Sequence, residues 1–215
     1  MWRKIKSVLR NTFLSNVING IRQIKATRVW IKSGKQGPPP HIVKQRVVKE
    51  YAGKFGIHVF VETGTCLGAM VDSTKKTFHR LYSIEIDEKL YERAKSRFLK
   101  NDHISIYYGD SAIELPNILE SIHEPVLFWL DGHYSGGITG KGEKETPILK
   151  ELECILHHPV KNHVILIDDA RCFTGENDYP TMKELYSVFA RYPNWVIDVK
   201  DDVIRCYKCS QERCA

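Results

Sequence analysis

Three aspartates stand where this sequence can do chemistry. Asp131 follows the apolar run Val126-Leu127-Phe128-Trp129-Leu130, and Asp168 and Asp169 follow His163-Val164-Ile165-Leu166-Ile167. Carboxylates brought this close repel one another unless a proton or a cation intervenes. Oxygen ligands of this kind suit Mg²⁺, with waters or substrate hydroxyls completing an octahedron. A metal that holds an aliphatic hydroxyl stabilises the alkoxide while a nearby base takes the proton. His133, two residues beyond Asp131, titrates in the useful range for that base. Other roles stay open: Asp168 or Asp169 can cap the next helix or pair with Arg171, and His133 can be structural or bind substrate.

A second set of residues lies earlier in the chain. Glu62-Thr63-Gly64-Thr65-Cys66-Leu67-Gly68 follows a short apolar run, and glycines there let the backbone approach a ligand with no Cβ in the way. The spacing is Gly-x3-Gly, not the Gly-x-Gly-x2-Gly that seats a dinucleotide pyrophosphate on a helix N-terminus. Ser83-Ile84-Glu85-Ile86-Asp87 places a carboxylate, Glu85, where it can accept from both hydroxyls of a ribose. Gly109-Asp110-Ser111 offers another, Asp110, to an adenine amino group. His157 and His158, at a helix end, read as surface or capping residues.

These residues need strands to place them at one rim. The pattern predicts a helix over 41–54, strands at 58–61, 81–84, 104–107, 126–130 and 163–167, and helices between them. The first intervening helix is expected to run to about Phe78, and another is expected over Thr181 to Tyr192. Trp195–Val199 and Val203–Tyr207 flank Lys200-Asp201-Asp202 as a closing antiparallel hairpin. Short apolar strands alternating with helices imply an α/β fold: a mostly parallel, seven-stranded sheet with helices on both faces. In such sheets ligands bind beyond the carboxyl ends of the strands.

Charge divides the chain. Residues 1–49 hold twelve of the 32 Lys and Arg and no Asp or Glu, so the remainder carries a net −6. That asymmetry argues against a nucleic-acid binder. Trp2, Ile5, Leu9, Phe13, Val17, Ile21 and Ile24 form an apolar stripe at helical spacing within a basic arm, residues 1–33. The arm reads as a helix that packs on the domain or on a second subunit in a homo-oligomer, or that lies on an anionic membrane surface. Residues 34–40 are a Gly- and Pro-rich linker, 41–207 the α/β domain and 208–215 a cysteine-containing tail. Cys206, Cys209 and Cys214 lack a fourth ligand for zinc and read as unpaired tail thiols, in a cytoplasmic setting with a possible peripheral contact at the inner membrane surface.

The run Phe60 to Gly68, then Tyr82 to Asp87, then Gly109-Asp110, resembles motifs one to three of the class I S-adenosylmethionine-dependent methyltransferases, over about residues 55–207. The resemblance implies a Rossmann-like fold and S-adenosylmethionine as cofactor. It puts Glu62 and Gly64, with Thr65 and Gly68, by the methionyl part, Glu85 on the ribose, and Asp110 and Ser111 by the adenine. Asp131, Asp168 and Asp169 match the ligands of the divalent-metal-dependent O-methyltransferases of the catechol and antibiotic-sugar types, and His133 stands where the sugar enzymes place a base. Asp131 also falls where metal-free members serve the cofactor's amino group. The glycine-rich stretch 135–143 departs from both types and suits a lid. The expectation is methyl transfer to a hydroxyl of a sugar, glycan or other polar small molecule. The rivals are a non-catalytic cofactor- or glycan-binding protein at a membrane, and an NAD-dependent oxidoreductase.

Overall fold

The computed structural model describes residues 20–132 and 146–209. The chain divides into two compact units, Met1–Arg46 and Val47–Ala215. In the first, residues 20–32 are helical (α1). The Trp30 indole N–H donates to the Gly37 carbonyl at 3.2 Å, and the Lys35 ammonium lies 5.4 Å from the same ring, so the linker folds back on the helix end. No described helix is long and apolar enough to cross a membrane. Helix α2 (His41–Phe55) runs across the division between the units.

The second unit is built on seven strands: β1 (Val59–Thr63), β2 (Arg80–Glu85), β3 (Ile104–Tyr108), β4 (Val126–Leu130), β5 (Val164–Ile167), β6 (Trp195–Lys200) and β7 (Val203–Lys208). Between them lie α3 (Ala69–Thr74), α4 (Glu88–Phe98), α5 (Ser111–Leu119), α6 (Ile148–His157) and α7 (Met182–Phe189). The strand order is 3-2-1-4-5-7-6, parallel from β3 to β5 and antiparallel around β7. This is the expected mixed sheet. Its order reverses between β1 and β4, which opens a crevice at their carboxyl ends. Register levels that rim: Thr63 pairs with Ile84 and with Leu130, and Leu130 pairs with Ile167.

Alternate residues of the central strands feed two cores. Val59, Val61, Phe128, Leu130, Ile165 and Ile167 pack against α5, α6 and α7. Phe60, Leu81, Leu127, Trp129, Val164 and Leu166 pack against α2, α3 and α4. Burial on both faces is why these strands read as unbroken apolar runs. The hairpin turn is Asp201-Asp202, both at positive φ (53° and 59°), the left-handed pair that a two-residue connection between twisted strands demands.

Several expectations need correction. Helix α3 stops at Thr74, short of Phe78, where the Ser73 and Thr74 hydroxyls turn back to the Met70 carbonyl. Helix α7 starts after Thr181, whose side chain forms a capping box with Glu184, and ends at Phe189 ahead of Pro193. His163 precedes β5, and His158 is buried rather than superficial. The Val126 N–H donates to His163 Nδ1 at 3.0 Å. His163 Nε2 must therefore carry the proton and donate to His158 Nδ1 at 3.0 Å, leaving His158 Nε2–H to donate to the Leu119 carbonyl at 3.1 Å. Cys206 is unpaired as expected but belongs to β7 rather than the tail, buried where it faces the core opposite Ile165, and Cys209 is disulfide-bonded rather than unpaired.

Candidate functional site

The loop after β1 is organised by buried acids. Glu62 accepts from the Ser83 hydroxyl at 2.7 Å, and Ser83 in turn lies 2.6 Å from the Thr65 hydroxyl. Because Ser83 spends its proton on Glu62, Thr65 donates to Ser83. Burial pushes Glu62 well above the usual carboxylate range; Ser83 opposes the shift, and Asp131 and Glu85 reinforce it. Glu85 accepts from the Cys66 N–H at 2.6 Å and from the Asp87 N–H at 2.9 Å. It thereby holds Cys66 at φ 48°, a strained setting for a residue with a side chain. Burial raises Glu85 too, against those backbone bonds.

Gly64 has a specific reason to be glycine. At φ 85° a Cβ would stand 2.5 Å from the Asp131 carbonyl oxygen. The missing side chain thus lets the β1 loop close on the tip of β4, where the Asp131 N–H donates to the Thr63 carbonyl at 3.2 Å. The space left at Gly68 is taken by the Phe98 ring.

Beyond β3, Asp110 caps α5 by accepting from the Ala112 N–H at 2.8 Å, and Ser111 opens that helix, buried. Beside them lies an acid the motifs do not mark. Glu151, on α6, is 1 % exposed. Burial raises its carboxyl to about 7; hydrogen bonds from the Ser111 and Thr63 hydroxyls oppose this, and Asp110 and Asp131 add to it.

Asp131, Asp168 and Asp169 meet as expected: one carboxylate oxygen from each lies within 4.8 Å of the others. Asp168 and Asp169 are buried and Asp131 half-buried. Asp168 accepts from the Asp169 N–H at 2.9 Å. Asp169 also pairs with Arg171 at 2.8 Å, and Arg171 reaches Asp202 of the hairpin turn, so the anticipated pairing and the acid cluster coexist. Burial works against the Arg171 charge, and Asp169 and Asp202 hold it firmly on. Burial raises the Tyr179 phenol, and the charges of Asp169, Asp131 and Asp168 add to the rise. Three hard oxygen donors, two of them buried, fit a divalent cation.

The structure brings Glu62, Gly64, Thr65, Glu85 and Asp131 to one crevice, with Asp110 and Ser111 at its α5 side and Asp168 and Asp169 at its β5 side. Gly68 sits at the start of α3. His133 and the 135–143 stretch lie outside the described residues. Sequence reading missed Ser83 and Glu151. A signal existed for Glu151: it falls on the apolar stripe Ile148, Leu152, Ile155, where an acid is out of place.

No protein-family model matches the sequence, and no curated protein matches it. Solved structures do match. The O-methyltransferase TomG from Streptomyces achromogenes, involved in tomaymycin synthesis and solved with S-adenosylmethionine, gives a TM-score of 0.58 at 14% identity over 87% of this chain and 89% of that one. An O-methyltransferase from Bacillus cereus, with S-adenosylhomocysteine, gives 0.59 at 16% identity over 87% and 90%. The methyltransferase PaMTH1 from Podospora anserina, also with S-adenosylhomocysteine, gives 0.56 at 15% identity over 88% and 87%. At these identities the likeness shows the fold, and the chain has the Rossmann-like fold of class I methyltransferases.

Proposed function

We propose that this protein is an S-adenosylmethionine-dependent O-methyltransferase acting on a hydroxyl of a sugar, glycan or other polar small molecule. The observation that carries the reading is the acid lining of the crevice. Burial raises Glu62, Glu85 and Glu151, and the Asp131 charge adds to the rise of Glu62 and Glu151. Such a site favours a ligand with cationic groups and repels a dinucleotide's phosphates. S-adenosylmethionine brings a sulfonium and an ammonium, and when bound it supplies an electrophilic methyl group.

In this reading Glu62, Gly64, Thr65 and Gly68 serve the methionyl end, Glu85 the ribose, and Asp110 and Ser111 the adenine. Asp131 serves the cofactor amino group or a cation. Asp131, Asp168 and Asp169 would hold Mg²⁺, which would supply Lewis acidity to the acceptor hydroxyl, and His133 would be the base that takes its proton. The Arg171 guanidinium pairs with Asp169 and ties it to Asp202 of the hairpin turn. The work left to the chain is orientation: in-line transfer needs acceptor oxygen, methyl carbon and sulfur aligned.

The arm suits a membrane surface. Helix α1 exposes Ile21, Ile24, Val29 and Ile31 among Arg22, Lys25, Arg28 and Lys32. Binding to anionic vesicles that weakens as salt rises is the expected result. A change of oligomeric state on deleting residues 1–33, without vesicle binding, would assign the arm to packing.

The test of activity uses S-adenosylmethionine labelled on its methyl group and a fractionated cell extract. Label is expected in a low-molecular-weight or glycan fraction as an alkali-stable ether, lost in chelator and restored by Mg²⁺. Label confined to precipitable nucleic acid or protein would overturn the acceptor class.

A further inference from the structure

Glu151 Oε1 has no hydrogen-bond partner, although the residue is 1 % exposed. A buried acceptor left unmade is costly. Its surroundings say where a donor would come from. The hydroxyls of Thr63, at the tip of β1, and Ser111, at the start of α5, lie beside this carboxyl. Thr63 Oγ1 also accepts from the Asp131 N–H at 3.2 Å. Oε1 itself faces the β4 tip: a Cβ built on Gly132 would lie 3.4 Å from it. The orphan oxygen therefore lies by the β1 and β4 tips, and the carboxyl that carries it borders Asp110 and Ser111 of α5.

We propose that Glu151 reads the base of the bound cofactor, its Oε1 accepting from an exocyclic amino group. The inference rests on the S-adenosylmethionine reading above. The ligand's donors are its ribose hydroxyls, its ammonium and its adenine amino group. Glu62 and Glu85 alternate along their strands with Val61 and Ile84 of the α5-side core and so take the other face of the sheet, whereas Asp110 and Ser111 border Glu151. An amino group has two hydrogens, and both need acceptors once water is excluded. Asp110 already caps α5 through Oδ1 and has one oxygen for the first hydrogen. Glu151 supplies the second acceptor, so a base without the amino group strands a buried oxygen.

The experiment compares S-adenosylhomocysteine with its analogue carrying hydrogen in place of the adenine amino group, by calorimetry. Wild type should prefer the amino ligand by at least about 10-fold. Glu151→Met should lose about 10-fold for S-adenosylhomocysteine and little for the analogue, and Glu151→Gln, which keeps an acceptor oxygen, should restore most of the preference. Equal losses for both ligands would make Glu151 a structural residue and overturn the proposal, as would a wild type that does not discriminate. A wild-type crystal structure with S-adenosylhomocysteine tests the contact without any variant: Oε1 within hydrogen-bonding distance of the amino nitrogen is expected, and an intervening side chain or a base turned away refutes it. Failure of wild type to bind either ligand would instead sink the cofactor reading itself.

Discussion

Gly64→Ala probes the closest approach in the crevice. At φ 85° a non-glycine residue costs about 1–2 kcal/mol. The new Cβ would meet the Asp131 carbonyl oxygen at 2.5 Å and its carbon at 3.0 Å. Both are backbone atoms that no rotamer change removes, so the β4 tip must retreat by roughly half an ångström, and overpacking of this kind costs about 1–3 kcal/mol. The total of about 2–5 kcal/mol lowers Tm by roughly 4–20 °C at about 2–4 °C per kcal/mol for a chain of this length. The retreat also carries Asp131 away from Thr63, so affinity for S-adenosylhomocysteine should fall about 10-fold or more in the folded fraction. Scanning calorimetry gives the first number and titration calorimetry the second. Gly53→Ala is the control, because a Cβ there meets nothing within 4 Å. A Gly64→Ala protein matching wild type in Tm and in affinity would refute the view that this glycine exists to let β1 and β4 close.

Three further outcomes follow from the same contacts. Ser83→Ala removes the hydroxyl that Glu62 accepts from and that Thr65 donates to, and should cost about 1–3 kcal/mol, read as a lower Tm; an unchanged Tm counts against the network. His163 is held down to about 3 by burial first, then by His158 and Lys161, against 6.5 unfolded. A depressed histidine binds fewer protons folded than unfolded, so its contribution is present above pH 6.5 and drains away as pH falls toward 3. The loss should reach about 2 kcal/mol by pH 5, and His163→Asn should flatten the decline in Tm between pH 7 and pH 5. Asp168→Asn should weaken Mg²⁺ binding and turnover while leaving S-adenosylhomocysteine affinity within about threefold; full activity of wild type in chelator would remove the cation from the account.

What the sequence made legible is what the fold concentrates in single loops. Each strand tip carries its acid within a few residues of an apolar run, so Glu62, Glu85, Asp110, Asp131 and Asp168 can be found by reading outward from the strands. The sheet was legible for the same reason, since strands buried on both faces show as unbroken apolar runs. What depends on two distant segments was not legible. Glu151 enters the crevice from α6, and only its place on an apolar stripe marks it. Gly64 read only as room for a ligand, and its second cause, that a Cβ there would meet the carbonyl of a residue 67 positions on, needed the fold. His158 does close α6, as read, but its burial was not legible because its side-chain partners, Leu119 and His163, come from separate connections. Helix ends were blurred where hydroxyls compete for backbone partners, as at Thr74.

The account turns on whether this crevice holds an adenosyl cofactor through its acids, and one calorimetric titration addresses it. S-adenosylhomocysteine titrated into wild type and into folded Glu85→Ala should bind wild type one to one and lose about 2–4 kcal/mol in the variant, since Glu85 anchors Cys66 and, in the proposed reading, meets the ribose. NAD titrated in the same way should give no binding heat. Silence with S-adenosylhomocysteine, equal affinity in the variant, or saturable binding of NAD would contradict it.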